Sequence, residues 1–432
     1  MRDFILPPPT APFVPGNLVA PDAAVAAFLE RAALAAPRRE TVPLEDALGR
    51  ILAEPARASE PIPQYARSTM DGFAVASEAG AQARRVVGEI LMGQAPPRAL
   101  GPGEALRIPT GGVLPEGADA VVPLEDVEEC DGTIRLREAP LAFDCVTPAG
   151  ADAAQGEELL APGRRLGSAE IGALATLGIS PVPVFARRRF AIVSTGDELV
   201  DPSALLGIGQ VRDSNRFAIA ASLRALGAEA VHLPRAADTP EGLRAALGSA
   251  LAEHDGVVLS GGSSVGARDL VPRVVAGLGS PGVIVHGLRV KPGKPTMLGA
   301  IGGKPVIGLS GNPTSALLIL EAVVRPILAA YLGASEDGPA TLAAEAAAPF
   351  EGRAGWTHFI PAVVRRRGGR LVAVPLPMRA ALSTLLARSS GYVVIGPDFG
   401  RIEEGAPLTV VAYAGGGIPV RPEPFDSGAA PR

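Results

Sequence analysis

Hydrophobic positions follow different rules in different parts of the chain. From residue 187 to 335, short apolar runs alternate with longer stretches in which apolar residues recur at helical spacing. The runs Phe190 to Val193, Ala230 to Leu233, Val257 to Leu259, Val283 to Val285 and Lys304 to Leu309 are of strand length. Between them, Asp213-Ser214-Asn215 can cap a helix through Leu226, and Thr239 can cap one to about Glu253. Helical spacing resumes through Leu270, Val271, Val274, Val275 and Leu278, and again from Thr314 to Leu332. Strands alternating with helices predict an α/β central domain with a mostly parallel sheet, covered on both faces.

The flanking segments read otherwise. Residues 58–146 hold only short apolar runs between turns: Phe73 to Val75, Val86 to Leu91, Ala105 to Ile108, Ala120 to Val122 and Ile134 to Leu136. That pattern predicts a β-rich domain. Residues 340–415 repeat it in Leu371 to Val374, Tyr392 to Ile395 and Leu408 to Val411, predicting a second, C-terminal β domain. Residues 21–57 and 147–186 instead carry helical patterns. In the first, Val25, Phe28, Leu29 and Ala33 follow a capping Asp22; in the second, Leu166, Ile171, Leu174 and Leu177 surround a capping Ser168. The two segments predict one small helical domain, its helices packed together, into which 58–146 is inserted. Prolines without apolar periodicity make residues 1–20 a disordered arm and 416–432 a disordered tail.

Composition narrows the functional classes. The chain has 432 residues, 47% of them hydrophobic, enough for several buried cores. A net charge of -5 gives no electrostatic case for a nucleic-acid partner, so any anion site must be locally basic. Cys130 and Cys145 form no CxxC pair and have no histidines at ligand spacing, which argues against zinc and fits a reducing cytoplasm. The most apolar segment, 315–332, contains Glu321, Arg325 and Pro326 and is expected in a core rather than in a membrane. His232, His254, His286 and His358 are scattered and read as packing or surface residues.

Three polar turns fall at the carboxyl ends of predicted strands, where open α/β sheets collect ligands. They are Ser194-Thr195-Gly196-Asp197-Glu198, the stretch from Ser260 and Gly261 through Gly262, Ser263, Ser264 and Gly266 to Asp269, and Ser310-Gly311-Asn312-Pro313 with Thr314 and Ser315. Glycines let backbone N–H groups approach a ligand and serines add donors, which suits a phosphate. Arg289-Val290-Lys291-Pro292-Gly293-Lys294-Pro295 is either a point-charge partner for an oxyanion or a solvated basic turn. Asp197, Glu198, Asp238 and Asp269 lie at or near strand ends, and carboxylates beside phosphate donors make sense if Mg²⁺ bridges protein and diphosphate. Two further turns, Met70-Asp71-Gly72 and Pro109-Thr110-Gly111-Gly112, are ordinary turn chemistry when taken singly.

Taken in order, these six motifs resemble the molybdopterin molybdenumtransferase family, to which the C-terminal domain of gephyrin belongs, over about residues 20 to 415. The resemblance implies an elongated four-domain subunit and a homodimer. It implies insertion of molybdate into adenylylated molybdopterin with release of AMP, a divalent metal, normally Mg²⁺, and a molybdopterin adenylyltransferase and acceptor molybdoenzymes as partners. On it, the glycine loops hold the pterin and its phosphates, and Lys291 and Lys294 attract molybdate. Glu198, Asp238 and Asp269 manage metal and hydrolysis, and Asp71 and Thr110 reach the site across the dimer interface.

This chain departs from the family pattern in places. The segment Val146 to Asp152 lacks the family's arginines, Ser310 replaces a proline, and Pro361 and Ala380 stand where the family has an arginine and a serine. Arg353, Arg379 and Ser383 are nearby substitutes. Two other readings therefore stand beside an insertase: a non-enzymatic molybdopterin-binding scaffold or carrier, and a nucleotide-diphosphate hydrolase.

Overall fold

The computed structural model describes residues 18–80, 82–261, 270–335, 338–378 and 382–422. The central sheet has six strands in the order Glu229–His232, Arg189–Ser194, Gly256–Ser260, Lys304–Leu309, Met297–Ile301 and Pro281–His286. The first four run parallel, and the last two are antiparallel additions at one edge. Met297–Ile301 is a strand that the apolar pattern did not reveal. It forms a hairpin with Lys304–Leu309 through Gly302-Gly303, both at positive φ (55° and 77°), the conformation that matches a two-residue turn to sheet twist.

The apolar runs are buried on both sides of this sheet. Phe190, Ile192, Val258 and Ile307 enter one core with the helices Asn215–Ala225 and Pro313–Leu332. Ala191, Val193, Val257 and Val306 enter the other with the helices Pro240–Glu253 and Leu270–Ala276. Adjacent residues face opposite cores, so no polar alternation survives in the sequence.

The amino-terminal helix, Pro21–Arg31, does not pack on the helix Ser168–Thr176 as expected. Ala24 and Phe28, one helical turn apart and 0% exposed, join the central core, whereas Leu174 packs with Ala47, Leu52, Leu166 and Val184. The two flanking segments do meet, through strands: Arg39–Val42 pairs Val182–Phe185, and Ala56–Arg57 pairs Glu158–Leu160. The expected caps also move. Pro21 takes the first turn, where its missing N–H costs nothing, and leaves Asp22 in that turn with Ala20 as the cap. Gly167 precedes Ser168 as the second cap, with its N–H bonded to Glu170 Oε2 at 2.9 Å.

The β-rich segment forms a six-stranded sheet that contains all five expected runs. The sixth strand, Val127–Cys130, is polar and pairs with Thr133–Leu136. The C-terminal sheet recruits two strands from outside residues 340–415. Val290–Lys291, from the lysine loop, pairs with Thr357–His358, and Val420–Arg421 pairs with Val364–Arg365. The ordered chain reaches further than expected at both ends: Leu18 and Val19 are buried, Val19 bridges to Leu288, and residues 420–421 are strand.

The long helix Pro313–Leu332 ties the central and C-terminal domains together. It is the one helix among the described residues long and apolar enough to cross a membrane, yet it lies in the core. At its wider π-turn, Leu320–Val324, the 2% exposed Glu321 accepts hydrogen bonds from Ser222 Oγ and, at 2.8 Å, from Ala414 N. Arg325 Nη1 lies 3.6 Å from the same carboxylate. The burial of this charge is offset by partners from both domains.

Candidate functional site

The parallel register sets the site. Ser194, Ser260 and Leu309 end three neighbouring strands level with one another, so the polar turns that follow emerge side by side. Hydrogen bonds then knit the turns: Thr195 N to Ser260 O at 3.1 Å, and Gly261 N to Leu309 O at 3.3 Å. Gly261 has φ +98°, and a Cβ there would lie 2.3 Å from Thr195 O, so the position admits only glycine.

Asn215, expected in a helix cap, carries a further role: its buried side chain donates from Nδ2 to Ser260 Oγ at 2.7 Å and to Gly311 O at 2.9 Å. One amide thus binds the second turn to the third. Close by in sequence, Asp213 is 3% exposed; its Oδ1 accepts Arg216 N at 3.3 Å, while its Oδ2 has no partner. Ser194 Oγ is likewise buried without a partner. Orphaned polar atoms at strand ends mark a place where a ligand or water supplies the missing bonds.

The third turn leads into the long helix. Ser310 Oγ accepts Asn312 N at 3.2 Å, Asn312 occupies the cap position, and Pro313 begins the helix. Thr314 and Ser315 are buried in the first turn, and Thr314 Oγ1 donates to Leu382 O at 2.8 Å, fastening the C-terminal domain here.

Two carboxylates flank the first turn. Thr195 Oγ1 donates to Asp238 Oδ1 at 3.3 Å, and both Glu198 carboxylate oxygens would lie 2.8 Å from a Cβ on Gly196. Asp197, Glu198 and Asp238 are exposed. Among the described residues no three of His, Cys, Asp and Glu gather as a metal cage. A Mg²⁺ held mainly by diphosphate and water needs only one or two protein carboxylates, and Glu198 and Asp238 are the described ones beside this turn. Gly262, Ser263, Ser264, Gly266 and Asp269 lie outside the described residues.

The lysine loop rests on the long helix. Gly293 has φ +97°, and a Cβ there would meet Ile319 Cγ1 at 2.1 Å. Ile319 lies about 9 Å along the helix from Pro313, at 1.5 Å per residue. Lys291 is exposed and Lys294 half-buried. Lys291 pairs in register with His358, whose Nε2 accepts Arg353 N at 3.0 Å. Burial, and secondly the Lys291 charge, push the His358 imidazole below its ordinary pKa. The same turn presents Arg353, exposed, with its guanidinium 5.8 Å from the Trp356 ring centroid. Of the other nearby substitutes, Ser383 is exposed and Arg379 lies outside the described residues, as does Ala380. Pro361 is buried in its strand opposite Tyr392.

Asp71 and Thr110 come together in the separate β-rich sheet. Asp71 Oδ1 accepts both the Thr110 N–H at 2.7 Å and its hydroxyl at 2.9 Å, and these bonds hold the carboxyl below the ordinary range. Gly72 makes the turn possible, since a Cβ would fall 2.1 Å from Val122 O. No strand pairing joins this sheet to the central one among the described residues.

Comparisons with known proteins identify the family. Three family profiles match in order: "MoeA N-terminal region (domain I and II)" over residues 19–178, "Probable molybdopterin binding domain" over 191–330, and "MoeA C-terminal region (domain IV)" over 343–413. The molybdopterin molybdenumtransferase of Bacillus subtilis is 32% identical over 386 residues, covering 86% of this chain and 89% of its own length. That of Nostoc is 36% identical over 299 residues, covering 67% and 68%. The crystal structure of the molybdopterin biosynthesis MoeA protein from Pyrococcus horikoshii superposes with a TM-score of 0.76 at 33% identity, over 92% of this chain and all of that one. The resemblance read from the six motifs is therefore borne out, and the chain belongs to the molybdopterin molybdenumtransferase family, transferases of molybdenum cofactor biosynthesis.

Proposed function

We propose that this protein inserts molybdate into adenylylated molybdopterin and releases AMP. The observation that carries the reading is the bonding of three strand-end turns around Asn215, beside a lysine loop seated on the helix that the third turn begins. The turns offer backbone N–H groups, Ser194 and Ser260 to the pterin and its phosphates. Lys291 and Lys294 place positive charge where molybdate would be attracted. Glu198 and Asp238 are the described residues that would hold Mg²⁺, which when bound supplies charge neutralisation at the diphosphate. Asp71 and Thr110, remote in sheet and in sequence, complete the site in a homodimer if the partner subunit presents them. A reducing, cytoplasmic setting suits the two free cysteines.

The test is incubation of purified protein with adenylylated molybdopterin, Mg²⁺ and molybdate. AMP release that depends on molybdate and is lost in Lys291→Ala supports the reading; no turnover at high molybdate overturns it. One observation favours a second reading, a molybdopterin-binding scaffold: Pro361 is buried in its strand and offers no charge where the family has an arginine. Losing a charge-assisted bond to an oxyanion costs roughly 1.5 to 3 kcal/mol if nothing replaces it. Pterin binding without molybdate-dependent AMP release would decide for the scaffold.

A further inference from the structure

At the opposite end of the central strands, where Arg189 pairs with Glu229, a cavity of about 370 Å³ opens among Arg38, Arg39, Glu40, Arg50, Arg187 and Glu229. A second cavity of about 370 Å³ shares Arg187 and Glu229 and adds Arg224. Together they form a trough lined by five arginines and two glutamates, in a chain whose net charge is -5. The strand Arg189–Ser194 separates this trough from the polar turns by about 17 Å, at 3.3 Å per residue.

The walls are built rather than incidental. Arg39 stands opposite Phe185 in a strand pair, and Ala186 N bonds Arg38 O at 2.8 Å, so the backbone at Arg38, Arg39 and Arg187 is fixed. Arg50 is 8% exposed, donates from Nη2 to Phe185 O at 3.0 Å and pairs with Glu40, while its Nε has no partner. Arg39 pairs with the exposed Glu54 at 3.1 Å, and two longer pairs, Arg38 to Asp255 at 3.5 Å and Arg189 to Glu229 at 3.8 Å, also leave half or more of each arginine side chain exposed. Arg187 is exposed and makes no hydrogen bond or ion pair among the described residues.

We propose that this trough binds a small phosphate-bearing anion, a diphosphate or phosphomonoester, at a site separate from the polar turns. Guanidinium forks match phosphate oxygens in pairs, and a multiply charged phosphate displaces single carboxylates from exposed pairs that contribute little on their own. Among the described residues no aromatic side chain lines either cavity, so recognition stops at the phosphates. Inorganic pyrophosphate and a nucleoside diphosphate should then bind alike.

Calorimetric titration of the full chain with inorganic pyrophosphate at low ionic strength tests this, with ADP as a second arm. The expected result is a salt-sensitive site weakened by about tenfold or more in Arg187→Gln and in Arg38→Gln. Both arginines are exposed, and unchanged melting of the variants without ligand checks that the fold persists. Absence of binding to the unmodified protein overturns the proposal, as does a binding isotherm left unchanged by Arg187→Gln. Loss in Lys291→Ala alone would place the probe at the lysine loop and overturn it too. Markedly tighter ADP binding would overturn recognition by phosphate alone.

Discussion

Asn215 and Ser260 lie 45 residues apart, at a helix start and a strand end, and a buried 2.7 Å hydrogen bond from Nδ2 to Oγ joins them. The same amide holds Gly311 O, so one side chain sets the spacing of two turns. Asn215→Leu keeps the volume but leaves both acceptors unpaired. It is expected to lower stability by about 1–3 kcal/mol and to weaken pterin binding. Denaturant unfolding and pterin titration check the two effects. Intact pterin affinity in a folded Asn215→Leu protein would remove Asn215 from the site.

Glu321 makes the central and C-terminal domains depend on each other. Glu321→Ala strands Arg325 and the Ala414 N–H in the core, and a loss of roughly 3–5 kcal/mol is expected. Ser222→Ala removes one donor and leaves the ion pair, so it should cost about 1 kcal/mol. Thermal melts of the two variants should rank in that order.

His358 gives stability a pH dependence of known sign. Its folded-state pKa is below the ordinary value of 6.5, because burial and then Lys291 oppose the charge. Below that value the unfolded chain binds more protons than the folded one. The contribution is therefore complete above about pH 6.5 and is lost as pH falls toward the folded pKa. Lys291→Gln should raise the His358 pKa, which an imidazole NMR titration reads directly. No movement would mean that the register pairing brings no charge to His358.

Asp71 titrates with the opposite chemistry and the same direction. Its carboxyl is held below 3.8 by the Thr110 N–H and hydroxyl, so the bond persists at neutral pH and is lost as pH falls through the folded value. The Thr110 amide proton should report that midpoint, and Thr110→Val, which removes the hydroxyl bond, should raise it. An unshifted midpoint in the variant would assign the effect to the backbone bond alone.

Much of the candidate site was legible because its chemistry is local. Ser194, Ser260, Ser310 and their glycines sit where apolar runs stop, and a parallel sheet brings such ends to one side whatever the loops do. The lysine loop was visible as charge on a stretch that cannot be a helix. Asn215 was not distinguishable, since Asp-Ser-Asn before a helix has the same pattern whether it caps the helix or reaches across to another strand. Met297–Ile301 was hidden by glycine and by a Gly-Gly turn whose positive φ values matter only once the hairpin forms. The polar strand Val127–Cys130 gave no signal because it is an edge paired only on one side.

The sequence by itself determined the three regimes of apolar spacing, the central sheet with its strand-end turns, and the family to which the chain belongs. These rest on local propensity and on short motifs, which neighbours in sequence are enough to express. Only the tertiary structure decided that the amino-terminal helix packs on the central core, that Lys291 joins the C-terminal sheet opposite His358, and that Glu321 is satisfied by Ala414. Each of those is a contact between segments far apart in the chain. An exposed lysine, a buried glutamate or an amphipathic helix has no preferred partner until the core fixes which surfaces face one another.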